Sequence, residues 1–554
     1  MTDTPEAQVN ILFVMYDQLR FDYLSCAGHP HLHTPNFDRV AAMGVRFTNA
    51  YVQSPICGSS RMCFYTGRYV SSHGAQFNNF PLRVGEQTLG DHLRREGMAC
   101  WLIGKTHMKA DTAGLERLGI APDSVIGARQ AECGFDVWIR DDGLWAEGPD
   151  GFYDEKRSPY NAYLRSRGYS SDNPWSDFAN AGLYENGDIA SGWMFKNADK
   201  PANIREEDSE TPWLTQKTIE FIEQAQAPWC AHVSFIKPHW PYIVPAPYHD
   251  MYGPEQVPEP CRHAAEREDA HPVYDAYMDR LVSKAFARDE VRDKVIPAYM
   301  GLIKQCDDQL GVLLDHLEKT GQLDTTMIVL TSDHGDYLGD HWMGEKDLFH
   351  DPSAKVPMIV YDPRSSADAT RGTTCSALVE SLDLTATFIE TAGGEVPGHI
   401  VEGRSLLPWL RGESPEWREF VISEYDYSIT PTAAQLGLEP EQARLFMVFD
   451  GRYKLVHAEG GFRPMLFDLQ TDPSEFFDLA KGDDHSAEMT RLYECLAHWG
   501  RRLSQRVVVS DADVEEMQGK SLRRGILPFL YDGSEVPAEL IEKYTGPAKG
   551  DFRS

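Results

Sequence analysis

The segment Thr326-Met327-Ile328-Val329-Leu330-Thr331-Ser332-Asp333-His334-Gly335-Asp336 decides the fold. Thr326 to Thr331 is an unbroken run, bounded by polar punctuation, that reads as a strand buried on both faces. It follows Val295 to Lys319, where Met300, Ile303, Leu310, Val312, Leu313 and Leu317 recur at helical spacing. The same figure repeats outward along the chain. Asn10 to Tyr16 is a buried strand that stops at Asp17-Gln18, and Trp229 to Ile236, after a helix over Thr215 to Gln224, runs into Lys237-Pro238-His239-Trp240-Pro241. Leu89 to Glu96 is helical, and the strand Met98 to Ile103 ends in Gly104-Lys105-Thr106-His107. A helix over Asn36 to Met43 precedes a short strand around Val45 to Phe47, and Val356 to Tyr361 is one more strand. Strands alternating with helices predict an α/β domain with a mixed, mostly parallel sheet flanked by helices.

That domain is expected over residues 1–410, with an irregular insertion at 110–212, rich in Gly, Asp, Asn, Tyr and Trp, of the kind that builds a pocket wall. A smaller α+β subdomain, antiparallel sheet and helix, is expected over 411–510. Its strands are Phe420 to Glu424, Phe446 to Phe449, Tyr453 to His457 and Met465 to Asp468, joined by turn signals such as Asp450-Gly451, and its helix runs from Ala487 to Leu503. The tail, 511–554, has proline-punctuated apolar patches such as Ile526 to Tyr531 and no core of its own, and is assigned to docking or to homo-oligomer formation, dimer or tetramer.

The chain has 554 residues, 42% hydrophobic and 25% charged, with a formal net charge of −32. That charge argues against nucleic acid and anionic membrane as partners. An anionic substrate would need a local cluster of cations, or a metal, set in an acidic body. Met1 to Gln8 carries no basic and apolar signal pattern, Val9 to Met15 is too short to span a membrane, and the ten cysteines are scattered without a Cys-x-x-Cys pair. Free thiols in a reducing compartment, hence a cytoplasmic protein, are expected.

Ser54-Pro55-Ile56-Cys57-Gly58-Ser59-Ser60-Arg61, continuing to Thr66-Gly67-Arg68, predicts a helix capped by Ser54 and ended by Gly67. Cys57 then sits at an end that favours negative charge, and Arg61 shares its face. Taken alone, the spacing also suits a buried Cys on an amphipathic helix. Four strands ending in ligand-type or cationic groups give it a context, because ligands of open α/β sheets bind at the carboxyl ends of strands. Asp17, Gln18, Asp333 and His334 form a donor set for a divalent metal. Arg61, Lys105, His107, Lys237, His239 and Lys346 are donors for a tetrahedral oxyanion and for proton transfer. Asp336, Asp340 and His341 are read as a solvated acidic loop, with support of the neighbouring metal ligands as the alternative, and Asn78 as either a site-lining or a turn residue. The aromatic residues Trp138, Trp145, Phe152, Tyr153, Tyr160 and Trp193 suit either a flat leaving group or the core.

Cys57-Gly58-Ser59-Ser60-Arg61 with Thr66-Gly67-Arg68 resembles the signature of the formylglycine-dependent sulfatases of the alkaline phosphatase superfamily. The resemblance extends through Gly104-Lys105-Thr106-His107, Lys237-Pro238-His239, Ser332 to Asp336, Lys346, Tyr453-Lys454-Leu455 and Leu466 to Pro473, spanning residues 9 to 480. It implies an alkaline-phosphatase-like fold and conversion of Cys57 to formylglycine (3-oxoalanine) by a formylglycine-generating enzyme. One hydroxyl of the hydrated aldehyde attacks sulfur or phosphorus, and the other releases the intermediate by elimination. It further implies that Asp17, Gln18, Asp333 and His334 bind one divalent ion together with residue 57, Asp333 also being placed to take the nucleophile's proton. Arg61 holds the diol, Lys105 and Lys346 bind the ester oxygens, His107 is the base for release, and His239 serves the leaving group.

Two departures from the family pattern stand out. Ser59 occupies the place of the usual Pro or Ala, so the extent of Cys57 conversion is a point to be measured. Asp17-Gln18 and Asp333-His334, in place of an all-oxygen cage, resemble the phosphonate monoester hydrolase and phosphodiesterase branch and shift the expected metal from Ca2+ towards Mn2+. Lys105-x-His107, by contrast, is the sulfatase form. The expected activity is hydrolysis of aryl sulfate monoesters with promiscuous phosphonate and phosphodiester turnover. The alternatives are a phosphonate monoester hydrolase with the same nucleophile, or a metal-binding protein in which Cys57 stays a thiol.

Overall fold

A strand that buries both faces needs cover on both sides, and here the chain supplies helices between the strands. The computed structural model describes residues 9–143, 158–502 and 508–518, with Ala538. In chain order its strands are β1 (Asn10–Asp17), β2 (Val45–Tyr51), β3 (Ala99–Gly104), β4 (Asp136–Arg140), β5 (Ala181–Leu183), β6 (Ile189–Ser191), β7 (Trp229–Pro238), β8 (Thr326–Ser332), β9 (Met358–Tyr361), β10 (Thr373–Glu380), β11 (Val421–Asp426), β12 (Arg444–Phe449), β13 (Tyr453–Ala458) and β14 (Met465–Asp468). Eight of them make one sheet in the order β10-β2-β9-β8-β1-β7-β3-β4. All neighbours run parallel except around β9, which is antiparallel to both β2 and β8.

β1, β7 and β8 are buried at every position, which is why they read as unbroken apolar runs. Successive residues of β1 still serve opposite faces. Leu12, Val14 and Tyr16 join Ile303 and Leu310 of the long helix Asp289–Lys319, whereas Ile11, Phe13 and Met15 join Phe64, Leu93 and Phe388. That helix begins earlier than the periodicity indicates and holds Pro297 in its interior. Val312, counted in its apolar stripe, is 38% exposed, so its neighbour Leu313 carries the packing there.

The insertion is less irregular than its composition suggests. It contributes β4, the edge strand beside β3, and the hairpin β5–β6. Asp136-Val137-Trp138-Ile139-Arg140 gave no strand signal because an edge strand is only half covered and has charged ends. Trp138 packs against Trp101 and Phe221, and Tyr160 is fully buried, so both belong to the core. Trp145, Phe152 and Tyr153 lie outside the described residues, as do Met1 to Gln8 and Ile526 to Tyr531.

β11 to β14 form a sequential antiparallel sheet, covered by the helix Ser486–Gly500 through Leu492 and Trp499. This sheet belongs to the same compact unit as the main sheet; Pro397–Ile400 and Arg502–Ser554 make a second unit, whose described helix is Asp511–Met517. Among the described residues no helix is long and apolar enough to cross a membrane.

Candidate active site

β8, β1, β7 and β3 are consecutive in the sheet, so the four polar motifs that end them stand side by side. The helix Cys57–Thr66, buried along its whole length, starts among them and ends at Gly67, which takes the left-handed conformation (φ 65°) expected of a helix stop. Ser54 does not cap it. The extended residue Ile56 holds the cap position, and the Ser54 hydroxyl is buried without a hydrogen-bond partner among the described residues. The Asn78 side-chain oxygen instead accepts from Gly58 N–H at 2.8 Å, so Asn78 serves the helix start and also lines the cavity above it.

Arg61 ties the floor together. Its Nε meets Asp333 Oδ2 at 2.8 Å and Nη2 meets Asp17 Oδ2 at 3.0 Å, while Nη1 donates to Lys105 O (3.0 Å) and Ser234 Oγ (2.7 Å). Lys105 Nζ lies 2.5 Å from Asp17 Oδ2. Cys57 Sγ is 3.0 Å from His334 Nε2 and 3.9 Å from Asp17 Oδ1. His334 donates through Nδ1 to Gly335 O (2.9 Å), which turns Nε2 towards the cluster. Lys346 Nζ is 3.3 Å from His239 Nε2 and 3.4 Å from Gln18 Oε1, and Gln18 N–H donates to Asp333 Oδ1 at 3.1 Å. His107 stands beside Cys57 on the cavity wall.

These groups push one another's protonation apart. Burial and Cys57 raise Asp17, yet Lys105, His239 and Arg61 hold it well below the usual carboxylate range. Burial outweighs Arg61 at Asp333 and leaves it above its ordinary value. Burial also opposes the Cys57 thiolate, but Lys346, His334 and Lys105 overrule it and bring the thiol well below its ordinary value. His334 resists burial because Asp333 and Cys57 face it, and is raised to about 9. Burial, with Lys346 alongside, lowers His239 to about 3 despite Asp17. His239 is therefore neutral at neutral pH, and its 3.9 Å approach to Asp17 is not an ion pair. Its Nδ1 donates to Trp240 O (2.7 Å), leaving Nε2 to accept from Lys346.

Several expectations need correction. Lys237 does not join the other cations. Its Nζ donates to Asn180 Oδ1 (2.8 Å) and Pro241 O (3.0 Å), so it braces the turn after β7 and does not line the cavity over Cys57. The acidic loop is not solvated. Asp336 is fully buried, accepting from Tyr242 OH at 2.6 Å and from Gln18 Nε2; Asp340 pairs with Arg20 (2.6 Å); and His341 pairs with Glu266 (2.6 Å) and stacks on His350. Each has an interior partner that sequence spacing does not display. The cavity over Cys57, of about 720 Å³, is lined by Lys105, His107, His239 and Lys346 and also by Trp175, Trp193 and Trp240. Tyr242 and Trp240 were within reach of a sequence reading, as they continue the Lys237-Pro238-His239 motif; Trp175 and Ser234 had no signal.

One donor atom from each of Asp17, Cys57, Asp333 and His334 lies within 4.8 Å of the others, all four residues being buried. Two carboxylates and an imidazole so placed fit a divalent cation. A central mixed sheet with such a cluster at its strand ends defines the alkaline phosphatase superfamily. Within it, the chain belongs to the sulfatase family, which matches residues 9–394, and residues 339–501 match the C-terminal region of N-sulphoglucosamine sulphohydrolase. Membership places it among the hydrolases of sulfuric esters. The multifunctional alkaline phosphatase superfamily protein PehA of Trinickia caryophylli is 30% identical over 512 residues, 87% of this chain and 93% of that one. An arylsulfatase of Clostridium perfringens is 26% identical, covering 88% of this chain and 93% of its own. Among solved structures, the phosphonate monoester hydrolase SpPMH from Silicibacter pomeroyi superposes with a TM-score of 0.77 at 29% identity, over 91% of this chain and 97% of that one.

Proposed function

We propose that this chain hydrolyses aryl sulfate monoesters with a formylglycine made from Cys57 as nucleophile, and turns over phosphonate monoesters and phosphodiesters as side substrates. The observation that carries the reading is the convergence of Lys105, His107, Lys346 and His239 on one buried residue, Cys57, inside an acidic body. A divalent ion, Mn2+ or Ca2+, held by Asp17, Gln18, Asp333, His334 and residue 57, supplies positive charge, and the hydrated aldehyde supplies one hydroxyl more than a serine would. Arg61, which ties both carboxylates together, is assigned to hold the diol of residue 57. Asp333, held beside residue 57 by Arg61 and the Gln18 N–H, is assigned to take the nucleophile's proton. Lys105 and Lys346 neutralise the ester oxygens. His107 takes the proton that leaves residue 57 on release. His239, fixed through Nδ1, presents Nε2 to the leaving oxygen and acts as an acid once an anionic ester has favoured its protonation. Asn78 borders the ester.

Cys57 is buried at the start of a packed helix, which supports its conversion by a formylglycine-generating enzyme before folding is complete. All ten cysteines are free, in keeping with a cytoplasmic location. A homo-oligomer remains the proposal for the tail. The second reading, phosphonate monoester hydrolase, is favoured by the likeness to SpPMH and to the phosphonate monoester hydrolase of Agrobacterium radiobacter, TM-score 0.75 at 29% identity over 88% of this chain and 95% of that one.

The mass of the Cys57 peptide is expected to show the thiol replaced by an aldehyde; an unmodified thiol in active enzyme refutes the nucleophile. In competition, kcat/KM for an aryl sulfate is expected to exceed that for the matching aryl phosphonate. A phosphonate preference of several orders of magnitude replaces the first reading by the second.

A further inference from the structure

Three indoles line the cavity together with its lysines and histidines. Trp175 and Trp193 have ring centroids 6.3 Å apart at 48°, and Trp193 and Trp240 5.6 Å apart at 61°. These separations make a continuous apolar face rather than a cage with a gap for a cation. Each ring is held differently. Trp175 is 3% exposed, opens the short π-helix Trp175–Ala179, and donates through Nε1 to Glu210 Oε1 at 2.8 Å. Gly143 (φ +76°) passes so close that a Cβ there would meet the Trp175 ring at 3.1 Å, so the backbone of the insertion gives way to the indole. Trp240 follows His239, and its carbonyl fixes that imidazole. Trp193, by contrast, is 47% exposed in a turn after β6 and borders the cavity, resting on the other two indoles.

We infer that Trp175, Trp193 and Trp240 form a leaving-group subsite for a flat, fused-ring aryl group, with Trp193 the residue that discriminates. The cavity of about 720 Å³ is far larger than a single phenyl ester needs, and its apolar side has room for a bicyclic system lying against Trp193 while the ester points to Cys57. Because Trp240 bears on both the wall and His239, seating the ring also sets the leaving oxygen beside the imidazole that would protonate it. The inference rests on the ester-hydrolase reading but is indifferent to whether sulfur or phosphorus is attacked.

The test compares 4-methylumbelliferyl and methyl esters, each as sulfate and as phosphonate, on wild type, Trp193→Ala and Trp193→Phe. Trp193→Ala is expected to lower kcat/KM for the umbelliferyl esters roughly tenfold, the size of one aromatic contact, with methyl esters unchanged and Trp193→Phe recovering most of the loss. An equal loss for methyl and umbelliferyl esters, or none for either, overturns the subsite. Binding is read separately by titrating the Cys57→Ala variant with 4-methylumbelliferyl sulfate and following tryptophan quenching. Quenching that disappears in Cys57→Ala/Trp193→Ala supports the subsite even if wild type cleaves none of the esters, which would refute the ester-hydrolase reading alone. Quenching that persists undiminished in the double variant refutes the subsite.

Discussion

Arg61 is fully buried, and its guanidinium is the bridge between two equally buried carboxylates, Asp17 and Asp333. A planar fork reaches four acceptors on four strands, in or just beyond β8, β1, β3 and β7, which a point charge on a flexible stem does not. Arg61→Lys is expected to keep the charge yet strand Lys105 O or Ser234 Oγ, with a stability loss of about 1–3 kcal/mol for each unsatisfied group. Arg61→Met should lose about 3–5 kcal/mol, because Asp333 loses its guanidinium partner and Asp17 keeps only Lys105. Urea denaturation in the presence of a chelator checks both; a Met variant as stable as the Lys variant would show that Asp333 has another counter-charge. Most of this floor was legible from residue types at strand ends: Asp17, Gln18, Arg61, Lys105, His107, His239, Asp333, His334 and Lys346 converge as anticipated. The misreadings were of partners. Asp336 looked solvated because nothing in its own neighbourhood reveals Tyr242, and Lys237 looked like a substrate cation because sequence does not say to which side a strand end turns.

The turn after β7 shows how an element carries chemistry. Lys237 donates to Asn180 of the insertion and, across His239 and Trp240, to Pro241 O, so this one ammonium fixes the segment that holds the imidazole. Burial lowers it from the ordinary 10.5 to about 8, with Glu210 opposing. The unfolded chain therefore binds a proton between pH 8 and 10.5 that the folded chain has released, and folding stability should rise with pH across that window. The full rise is about 3 kcal/mol for a shift of this size. Lys237→Met is expected to abolish the slope, measured as urea midpoints between neutral pH and pH 10; an unchanged slope would mean that another group is responsible. The strands themselves were legible where burial is two-sided, as in β1, β7 and β8. β4 was missed because edge strands need no continuous apolar run, and of the indole wall only Trp193 was offered for a flat leaving group, because Trp175, Trp193 and Trp240 come from separate segments with no shared period.

Among the described residues, a body of net charge −32 buries several of its cations against carboxylates, and the small sheet takes part in this. Lys454 of β13 is 1% exposed and reaches Phe349 O (3.1 Å), Asp351 Oδ1 (2.7 Å) and Glu475 Oε1 (2.7 Å). Asp351 opens the turn that follows the Lys346 loop, so the antiparallel sheet anchors the chain just beyond a residue of the cavity. Burial raises Asp351, but Lys454 and Lys355 overrule it and hold the carboxyl well below its ordinary 3.8. Its contribution to stability is thus complete above that ordinary value and lost as the pH falls below it. Lys454→Met should remove about 3–5 kcal/mol at neutral pH and flatten part of this acid slope, because Glu475 loses its counter-charge and Asp351 keeps only Lys355. Adding Asp351→Asn should return part of the loss by removing one buried charge, a coupling that independent sites would not show. If far-ultraviolet circular dichroism and tryptophan fluorescence still report one coincident transition in Lys454→Met, the two sheets unfold together. A separate early transition would instead mean that Lys454 is the main tie between them, and that the position of Lys346 depends on a sheet which contributes no residue to the cavity.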